Sequence, residues 1–306
     1  KTDNSRVFTL GLLGVREGSM APEVIARLEG QGASGFICFT QLAEGLALLT
    51  RATGDASYAE AARAIVPLLQ PRGVQHSHGY LSTLRGAVLL HEVAGHADML
   101  ALAERLYGEL VRSTDYTVDG GVLEYFGWGD PTRADSLAAA KAASGQFPRN
   151  EGCGLADFVR LSLQLHRATG RPEYLERAER CLVNGFAHNQ YANGDFGSRV
   201  FFDRGIQPTP SVNRSWWCCT MHGHRCFRDV LDHAVVERDG AVVVQLFEDV
   251  DFVGTRAAVS VRRTPLAATI EVSRPVEGAL AVRVPSWAEA PCVSGQGGGG
   301  GGGRSL

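Results

Sequence analysis

The strongest constraint on the fold is a short segment that recurs three times, in which one helix ends and another begins. Each copy has a glycine followed within a few residues by an acidic residue or a proline, at 53–58, 94–99 and 169–174. Glycine suits the left-handed residue that closes a helix, and Asp or Pro suits the first turn of the next helix. The three copies predict three helical hairpins.

Ala- and Leu-rich stretches with near-helical spacing of apolar residues flank the copies, at 34–53 and 58–69, 80–94 and 99–112, and 155–169 and 174–188. The interval between Gly95 and Gly170 is nearly twice that between Gly54 and Gly95, and the extra length holds a long predicted loop at 115–150. Repeated hairpins of this length predict a mainly α-helical fold of the α/α toroid type. Weaker helices at 20–30 and 223–236 leave the predicted ring incomplete.

The pattern changes to β-strands after residue 240. Alternating, β-branched segments at 242–247, 257–262, 268–272 and 279–284 predict a small antiparallel β-sandwich. A run of seven glycines at 297–303 has no side chains to bury. The sequence therefore predicts an α/α toroid catalytic domain at 1–238, a shortened β-sandwich domain at 239–293 and a flexible Gly-rich tail at 294–306.

Charge and cysteine usage narrow the functional classes. The net charge of −3 and the lack of a long Lys/Arg block argue against nucleic acid and anionic membranes as partners. No apolar run reaches the roughly 18 residues of a membrane span. The seven cysteines are odd in number, irregularly spaced and include an adjacent pair, which argues against a disulfide framework. We therefore expect a neutral ligand, thiol or metal chemistry, and a reducing, cytoplasmic location.

Two segments carry the residues expected for such chemistry. Glu151 and Cys153 are two residues apart just before a predicted helix, and Cys218 and Cys219 are adjacent. Three thiolates and one carboxylate form a suitable tetrahedral set for Zn²⁺. Coordination deprotonates a thiol and directs it, so that one sulfur can attack an electrophile such as an anomeric carbon. The alternatives are a solvated carboxylate at Glu151 and buried, inert thiols.

These residues also resemble a known family. The motifs are Glu-x-Cys at 151–153, Trp-x-Cys-Cys-Thr at 216–220 with Arg225 after it, His-Gly-Tyr and Leu-Arg-Gly at 78–80 and 84–86, and Arg-Val-Pro-Ser-Trp-Ala at 283–288. Together they resemble the β-L-arabinofuranosidase family of glycoside hydrolases, from about residue 35 to 288. The resemblance implies a retaining glycosidase that acts on a carbohydrate and binds Zn²⁺ through Glu151, Cys153, Cys218 and Cys219. It further implies that Cys218 is the nucleophile and that a loop glutamate is the acid/base.

The acid/base is where the sequence departs from the family pattern. The spacing of better-known members falls on Asp135, whereas Glu124 follows a pair of glycines, and we predict Glu124. An exposed loop carboxylate is the alternative reading of Glu124. Aromatic rings and imidazoles near the motifs are predicted to contact sugar, with helix capping or core packing as the alternative. They are His78, His76, Tyr125 and Trp216, with His222 and His224 as spare candidates.

Three other classes are alternatives to the glycosidase. A zinc cyclase that activates a thiol substrate also uses toroidal helices, and Met-His-Gly at 221–223 faintly resembles its motif, whereas a toroidal sugar epimerase would need histidine pairs without zinc. An inactive carbohydrate-binding or structural zinc protein is the non-enzyme alternative. The Glu-x-Cys pair and the β domain favour the glycosidase.

Overall fold

The computed structural model describes residues 40–69, 71–73, 76–128, 130, 132, 136–202, 205–207, 215–264, 267–274, 276 and 278–288. The predicted helix at 20–30, the alternative acid/base Asp135 and the Gly-rich tail lie outside the described residues. The chain divides into two compact units, Lys1–Ala234 and Val235–Leu306. The division falls just before a strand, four residues ahead of the boundary expected at 238.

The first unit is built mainly of helices. They are α1 (Leu42–Thr53), α2 (Ala56–Ile65), α3 (Ser77–Ala94), α4 (Ala97–Val111), α5 (Leu137–Ala143), α6 (Gly152–Thr169), α7 (Pro172–Cys181), α8 (Ala187–Asn189) and α9 (Trp217–Ala234). A 3₁₀ turn, Val66–Leu68, follows α2, and a π-helical turn, Leu182–Phe186, joins α7 to α8. A three-stranded antiparallel sheet contains β1 (Arg149–Glu151), β2 (Ser198–Phe202) and β3 (Gly205–Gln207).

The predicted hairpins are confirmed at the residues that define them. Gly54, Gly95 and Gly170 have φ values of 73°, 74° and 73°, the left-handed conformation that lets each helix close. At the next helix starts, Asp55 accepts the Ser57 N–H at 2.9 Å and Pro172 occupies the first turn of α7. Local chemistry therefore determines where α1–α2, α3–α4 and α6–α7 turn.

Helices α1, α3, α6 and α9 pack side by side as an inner row, and α2, α4 and α7 return along the outside. Nearly all of α3 and α6 is buried around its circumference, whereas each outer helix buries a single stripe. The mainly α-helical class is confirmed, and this alternation is the arrangement of an α/α toroid. The inner helices α3, α6 and α9 all begin at the same end of the row, where the site lies.

Three features of this unit were not predicted. The 115–150 segment contains α5 and the start of β1 rather than loop alone. The small sheet adds two strands after α8. Helix α9 begins at Trp217, six residues before the predicted start at 223, so Cys218 and Cys219 lie in its first turn.

The second unit holds two three-stranded sheets. Their strands are β4 (Val235–Arg238), β5 (Ala241–Val244) and β9 (Ala279–Val282) in one, and β6 (Val250–Val253), β7 (Ala258–Arg263) and β8 (Ala268–Arg274) in the other. Apolar side chains from both sheets form one core that includes Val242, Val244, Val259 and Val261. The sandwich is confirmed, except that β9 pairs with β5 in parallel, because the chain crosses back only after completing the other sheet. Across the described residues, we find no helix with the length and apolar character of a membrane span.

Candidate metal centre and active site

The candidate site lies where three inner helices begin. Glu151 is the last residue of β1 and has extended backbone (φ −142°, ψ 140°), and Cys153 follows in the first turn of α6. Cys218 and Cys219 lie in the first turn of α9, which packs on α6. The first turns of helices carry positive partial charge, which favours anionic side chains at this end of the row.

The structure brings the four predicted metal ligands together. Their donor atoms all lie within 4.8 Å of one another. The Sγ atoms of Cys153 and Cys219 are 3.6 Å apart, and Cys219 Sγ is 3.3 Å from Glu151 Oε1. Two sulfurs held at about 2.3 Å by a tetrahedral zinc ion are roughly 3.8 Å apart, so the cluster has the dimensions and the donor types that Zn²⁺ requires. All three thiols are free.

Close packing around Gly152 makes this approach of α9 to α6 possible. A Cβ at Gly152 would lie 2.9 Å from Phe196 Cβ, 3.0 Å from Asn189 Oδ1 and 3.0 Å from Cys219 Cβ. A Cβ at Gly223, on α9, would lie 2.4 Å from the Phe196 ring. A side chain at position 152 would therefore push against Phe196, Asn189 and Cys219, and glycine lets the two helices approach without such a shift.

The three thiols differ in accessibility. Cys153 and Cys219 are buried, whereas Cys218 is only partly buried. Hydrogen bonds from Cys153 and Cys219 hold the pKa of Cys218 well below its usual range. Hydrogen bonding to Cys218 also raises the pKa of Cys153. The sulfur that a ligand can reach is thus the one most readily present as thiolate.

Both ring nitrogens of His76 have partners within the protein. Nδ1 accepts the backbone N–H of His78 at 3.1 Å, which caps helix α3, and Nε2 lies 2.9 Å from Glu151 Oε2. Burial opposes a positive charge on the ring, and the carboxylates of Glu151 and Glu124 favour one. With Nδ1 accepting from the main chain, the ring carries its hydrogen on Nε2, the atom at ion-pair distance from Glu151. This geometry makes His76 a support for the candidate ligand Glu151, and its predicted contact with sugar stays a prediction.

Glu124 is buried and held as a carboxylate, so the reading of it as an exposed loop residue does not apply. Arg149 Nη2 donates to Oε1 at 3.0 Å, Arg149 Nε also contacts the carboxylate, and His76 Nε2 lies 3.6 Å away. Burial raises its pKa, but hydrogen bonds from His76 and Arg149 outweigh burial and lower the pKa to about 2. The main chain fixes the segment as well, because the Ser77 N–H donates to the Glu124 carbonyl at 2.9 Å.

The remaining predicted site residues surround these groups. Tyr125 is partly buried and stands edge-on to His76, with ring centroids 5.3 Å apart, while the Arg149 guanidinium lies 5.6 Å from its ring centre. Trp216 is partly buried immediately before α9. His78 packs against His222, with ring centroids 4.3 Å apart. His224 is exposed.

Sequence reasoning missed three residues behind these groups. Arg149 pairs with Glu124, Asp157 binds His78, and Arg85 binds Asp157 at 2.9 Å. The signal for Asp157 was present, because a residue four positions after Cys153 lies on the same helix face one turn deeper. Arg85 lies in the Leu-Arg-Gly motif but its partner is 72 residues away, so no local pattern could identify the pair.

Comparisons with known proteins agree with this site. Residues 83–231, just under half of the chain, match the family model of the β-L-arabinofuranosidase GH127 catalytic domain. That segment contains Glu124 and all four candidate metal ligands. The resemblance predicted from the motifs is therefore confirmed. A search of curated proteins found no match.

Solved structures show the same fold. A GH127 β-L-arabinofuranosidase from Geobacillus stearothermophilus T6 is 15% identical with a TM-score of 0.56, covering 80% of this chain and 47% of its own. A second GH127 β-arabinofuranosidase is 15% identical with a TM-score of 0.57, covering 79% and 41%. A protein described as a glycoside hydrolase is 14% identical with a TM-score of 0.57, covering 81% and 49%. The chain thus spans about half the length of these structures.

Proposed function

Taking as premise that residues 83–231 carry the catalytic-domain pattern of the GH127 β-L-arabinofuranosidase family, we propose that this protein is a retaining glycoside hydrolase with a zinc-bound cysteine nucleophile. The proposal depends most on one observation. The ligand atoms of Glu151, Cys153, Cys218 and Cys219 all lie within 4.8 Å of one another. Its substrate is a carbohydrate with a terminal sugar of the arabinofuranose class. Because three thiols must stay reduced, the proposal includes a reducing compartment such as the cytoplasm.

Cys218 is the proposed nucleophile because it alone of the three thiols is partly exposed. When bound, Zn²⁺ would keep the sulfur deprotonated at neutral pH. The Cys218 sulfur forms a bond to the anomeric carbon while the bond to the leaving oxygen breaks, and that oxygen takes a proton. Water then attacks the same carbon, loses a proton and releases Cys218.

Glu124 is the proposed acid/base. Its carboxylate shares the His76 ring with the metal ligand Glu151, which places it beside the cluster. As a carboxylate it is ready to accept the proton of the attacking water. To donate a proton to the leaving oxygen it must first be protonated, which requires its pairing with Arg149 to weaken when substrate binds.

The test is zinc content and turnover in matched cysteine variants. The wild type is expected to bind one zinc ion and to hydrolyse an aryl β-L-arabinofuranoside from a panel of aryl glycosides. Cys218→Ser should lower kcat by at least about 1000-fold, since the hydroxyl is a far weaker nucleophile. Cys219→Ser should lose zinc, whereas Cys226→Ser, which removes a buried thiol of the same helix outside the cluster, should retain zinc and turnover.

Two outcomes would contradict the proposal. Turnover that survives in Cys218→Ser would remove the nucleophile assignment. Zinc binding without turnover of any glycoside would favour a structural or carbohydrate-binding zinc protein, the second candidate that the cluster geometry supports.

A further inference from the structure

A second polar cluster lies one helical turn deeper than the thiols. Asp157 follows Cys153 by four residues on α6, and His222 follows Cys218 by four residues on α9, so each lies on the same helix face as its cysteine. His78, from the first turn of α3, completes the cluster. Ligand atoms of Asp157, His78 and His222 lie within 4.8 Å of one another.

Asp157 is fully buried, and both of its carboxylate oxygens are engaged. Oδ1 accepts from Arg85 at 2.9 Å and lies 3.5 Å from Arg160 Nη1, and Oδ2 binds His78 Nδ1. Burial raises the pKa of Asp157, but its interactions with His78 and Arg85 outweigh burial and hold the pKa well below its usual range. The carboxylate is thus an acceptor only.

This arrangement argues against a second metal ion. A cation at the cluster would face the guanidinium groups of Arg85 and Arg160, which already neutralise the charge of Asp157. A metal ion there would have to compete with both arginines for a buried carboxylate whose charge is already compensated. The cluster is therefore suited to hydrogen bonding rather than to metal coordination.

The position of the proton on His78 follows from its partner. Because Asp157 can only accept, Nδ1 of His78 carries a hydrogen, and in the neutral imidazole the lone pair then lies on Nε2. His76, two residues earlier, has the opposite arrangement, since its Nε2–H is directed to Glu151. Of His76 and His78, only His78 offers an acceptor nitrogen to a ligand.

We propose that Asp157 is a positioning residue that fixes His78 with Nε2 as a hydrogen-bond acceptor for a hydroxyl of the bound sugar beside Cys218. This inference rests on the proposed function and deepens it by naming what selects the substrate orientation. His78 side-chain exposure is 19%, so the ring is mostly held yet reachable. A sugar hydroxyl donates its hydrogen to Nε2, and no bond is formed or broken at His78.

The decisive variant is Asp157→Asn. Arg85 continues to donate to the side-chain oxygen at position 157, which turns the amide NH₂ toward His78 Nδ1. The ring must then accept at Nδ1 and carry its hydrogen on Nε2, so the acceptor for the sugar is lost. The matched control is Glu44→Gln, which weakens the same ion network through Arg85 and Arg160 without contacting His78.

The first measurement is the imidazole ¹⁵N spectrum of the zinc-loaded protein, with the His78 signals identified by their loss in His78→Gln. The wild type and Glu44→Gln should show hydrogen on Nδ1, and Asp157→Asn should show hydrogen on Nε2. Persistence of the Nδ1–H form in Asp157→Asn would overturn the proposal.

The second measurement is kcat/KM for the aryl arabinofuranoside. Asp157→Asn and His78→Gln should each lower it by roughly 10- to 100-fold, and the double variant should be no worse than either, because both remove the same hydrogen bond. Glu44→Gln should change it by less than about 3-fold. The proposal would be overturned if the loss of kcat/KM in the double variant equalled the product of the two single losses. It would also be overturned if Glu44→Gln lowered kcat/KM as much as Asp157→Asn does.

If no glycoside is turned over, the proposed function fails, and titration with L-arabinose decides the inference separately. A shift of the His78 Nε2 resonance in the wild type that is absent in Asp157→Asn supports it. A resonance that arabinose leaves unchanged in the wild type overturns it.

Discussion

The two polar clusters on α6 and α9 lie one turn apart, yet they are stabilised by different means. The outer cluster places three thiols and Glu151 together, donors that suit a soft divalent cation. The inner cluster places Asp157 between two arginines and a histidine, so its charges are already balanced within the protein. The outer cluster offers its donor atoms to a ligand from outside the chain, whereas the inner cluster has its charges paired within the protein.

The difference shows how one helix pair serves chemistry and stability together. Residues four positions apart lie on the same face of a helix at two depths, so the packing of α6 against α9 positions both clusters, the outer layer and the inner layer of the site. The outer layer opens toward Cys218, whereas the inner layer is closed by Arg85, whose side chain is only 2% exposed. Three predictions test whether the layers are separable.

The largest expected effect is from Arg85→Ala. Removing this guanidinium leaves the Asp157 carboxylate buried with weaker compensation, and unfolding free energy should fall by about 3–5 kcal/mol. Arg51→Ala, which removes an arginine that is 52% exposed and paired with Glu92, should cost less than about 1 kcal/mol. Urea unfolding measures both. Zinc content of folded Arg85→Ala should be unchanged, and its loss would show that the two layers act as one.

An intermediate effect is expected from Gly152→Ala. The added methyl group would lie closer to Phe196, Asn189 and Cys219 than van der Waals contact allows, so α6 and α9 must separate. We expect the free energy of unfolding to fall by about 1–3 kcal/mol and zinc binding to weaken. Gly45→Ala is the control, because a Cβ there has nothing within 4 Å and should stabilise α1 by up to about 1 kcal/mol. Denaturation and zinc titration compare them. Unchanged zinc affinity in Gly152→Ala would contradict the close-approach argument.

The smallest expected effect concerns pH. Burial lowers the pKa of His222 to about 4 from an ordinary value near 6.5, opposed by the Asp157 carboxylate and aided by the positive charge of Arg225. The unfolded chain therefore binds the proton first, and stability is lost as pH falls from about 6.5 toward 4. In zinc-depleted protein, His222→Gln should lose about 1 kcal/mol less than wild type between pH 7 and pH 5.

Urea unfolding at the two pH values gives the comparison, with His224→Gln as the control because His224 is exposed on the same helix. Equal pH sensitivity in wild type and His222→Gln would show that His222 is not held neutral in the folded state.

Much of the fold could be predicted because its signals are local. The glycines at 54, 95 and 170 each close a helix through their own backbone conformation, which the sequence specifies residue by residue. The start of α9 could not be predicted in the same way. Trp and Cys are weak helix formers, and the turn at 217–220 is helical because it packs on α6.

The candidate site shows the same contrast between residues with a local sequence signal and residues whose partners are distant in sequence. The four candidate ligands were identifiable from residue type and from the rarity of adjacent cysteines, and the structure brings them together. Their supporting partners were not identifiable, since the Glu124–Arg149 and Arg85–Asp157 pairs join positions 25 and 72 residues apart. The parallel pairing of β9 with β5 was missed for the same reason, because it depends on how the chain returns across a completed sheet.

The His76 ring has a consequence for communication within this unit. One nitrogen holds the main-chain amide at the start of α3 and the other holds Glu151, so the order of that helical turn and the order of the carboxylate are coupled. Occupancy of the cluster should therefore slow hydrogen exchange at the His78 amide, making that amide a natural reporter of metal binding.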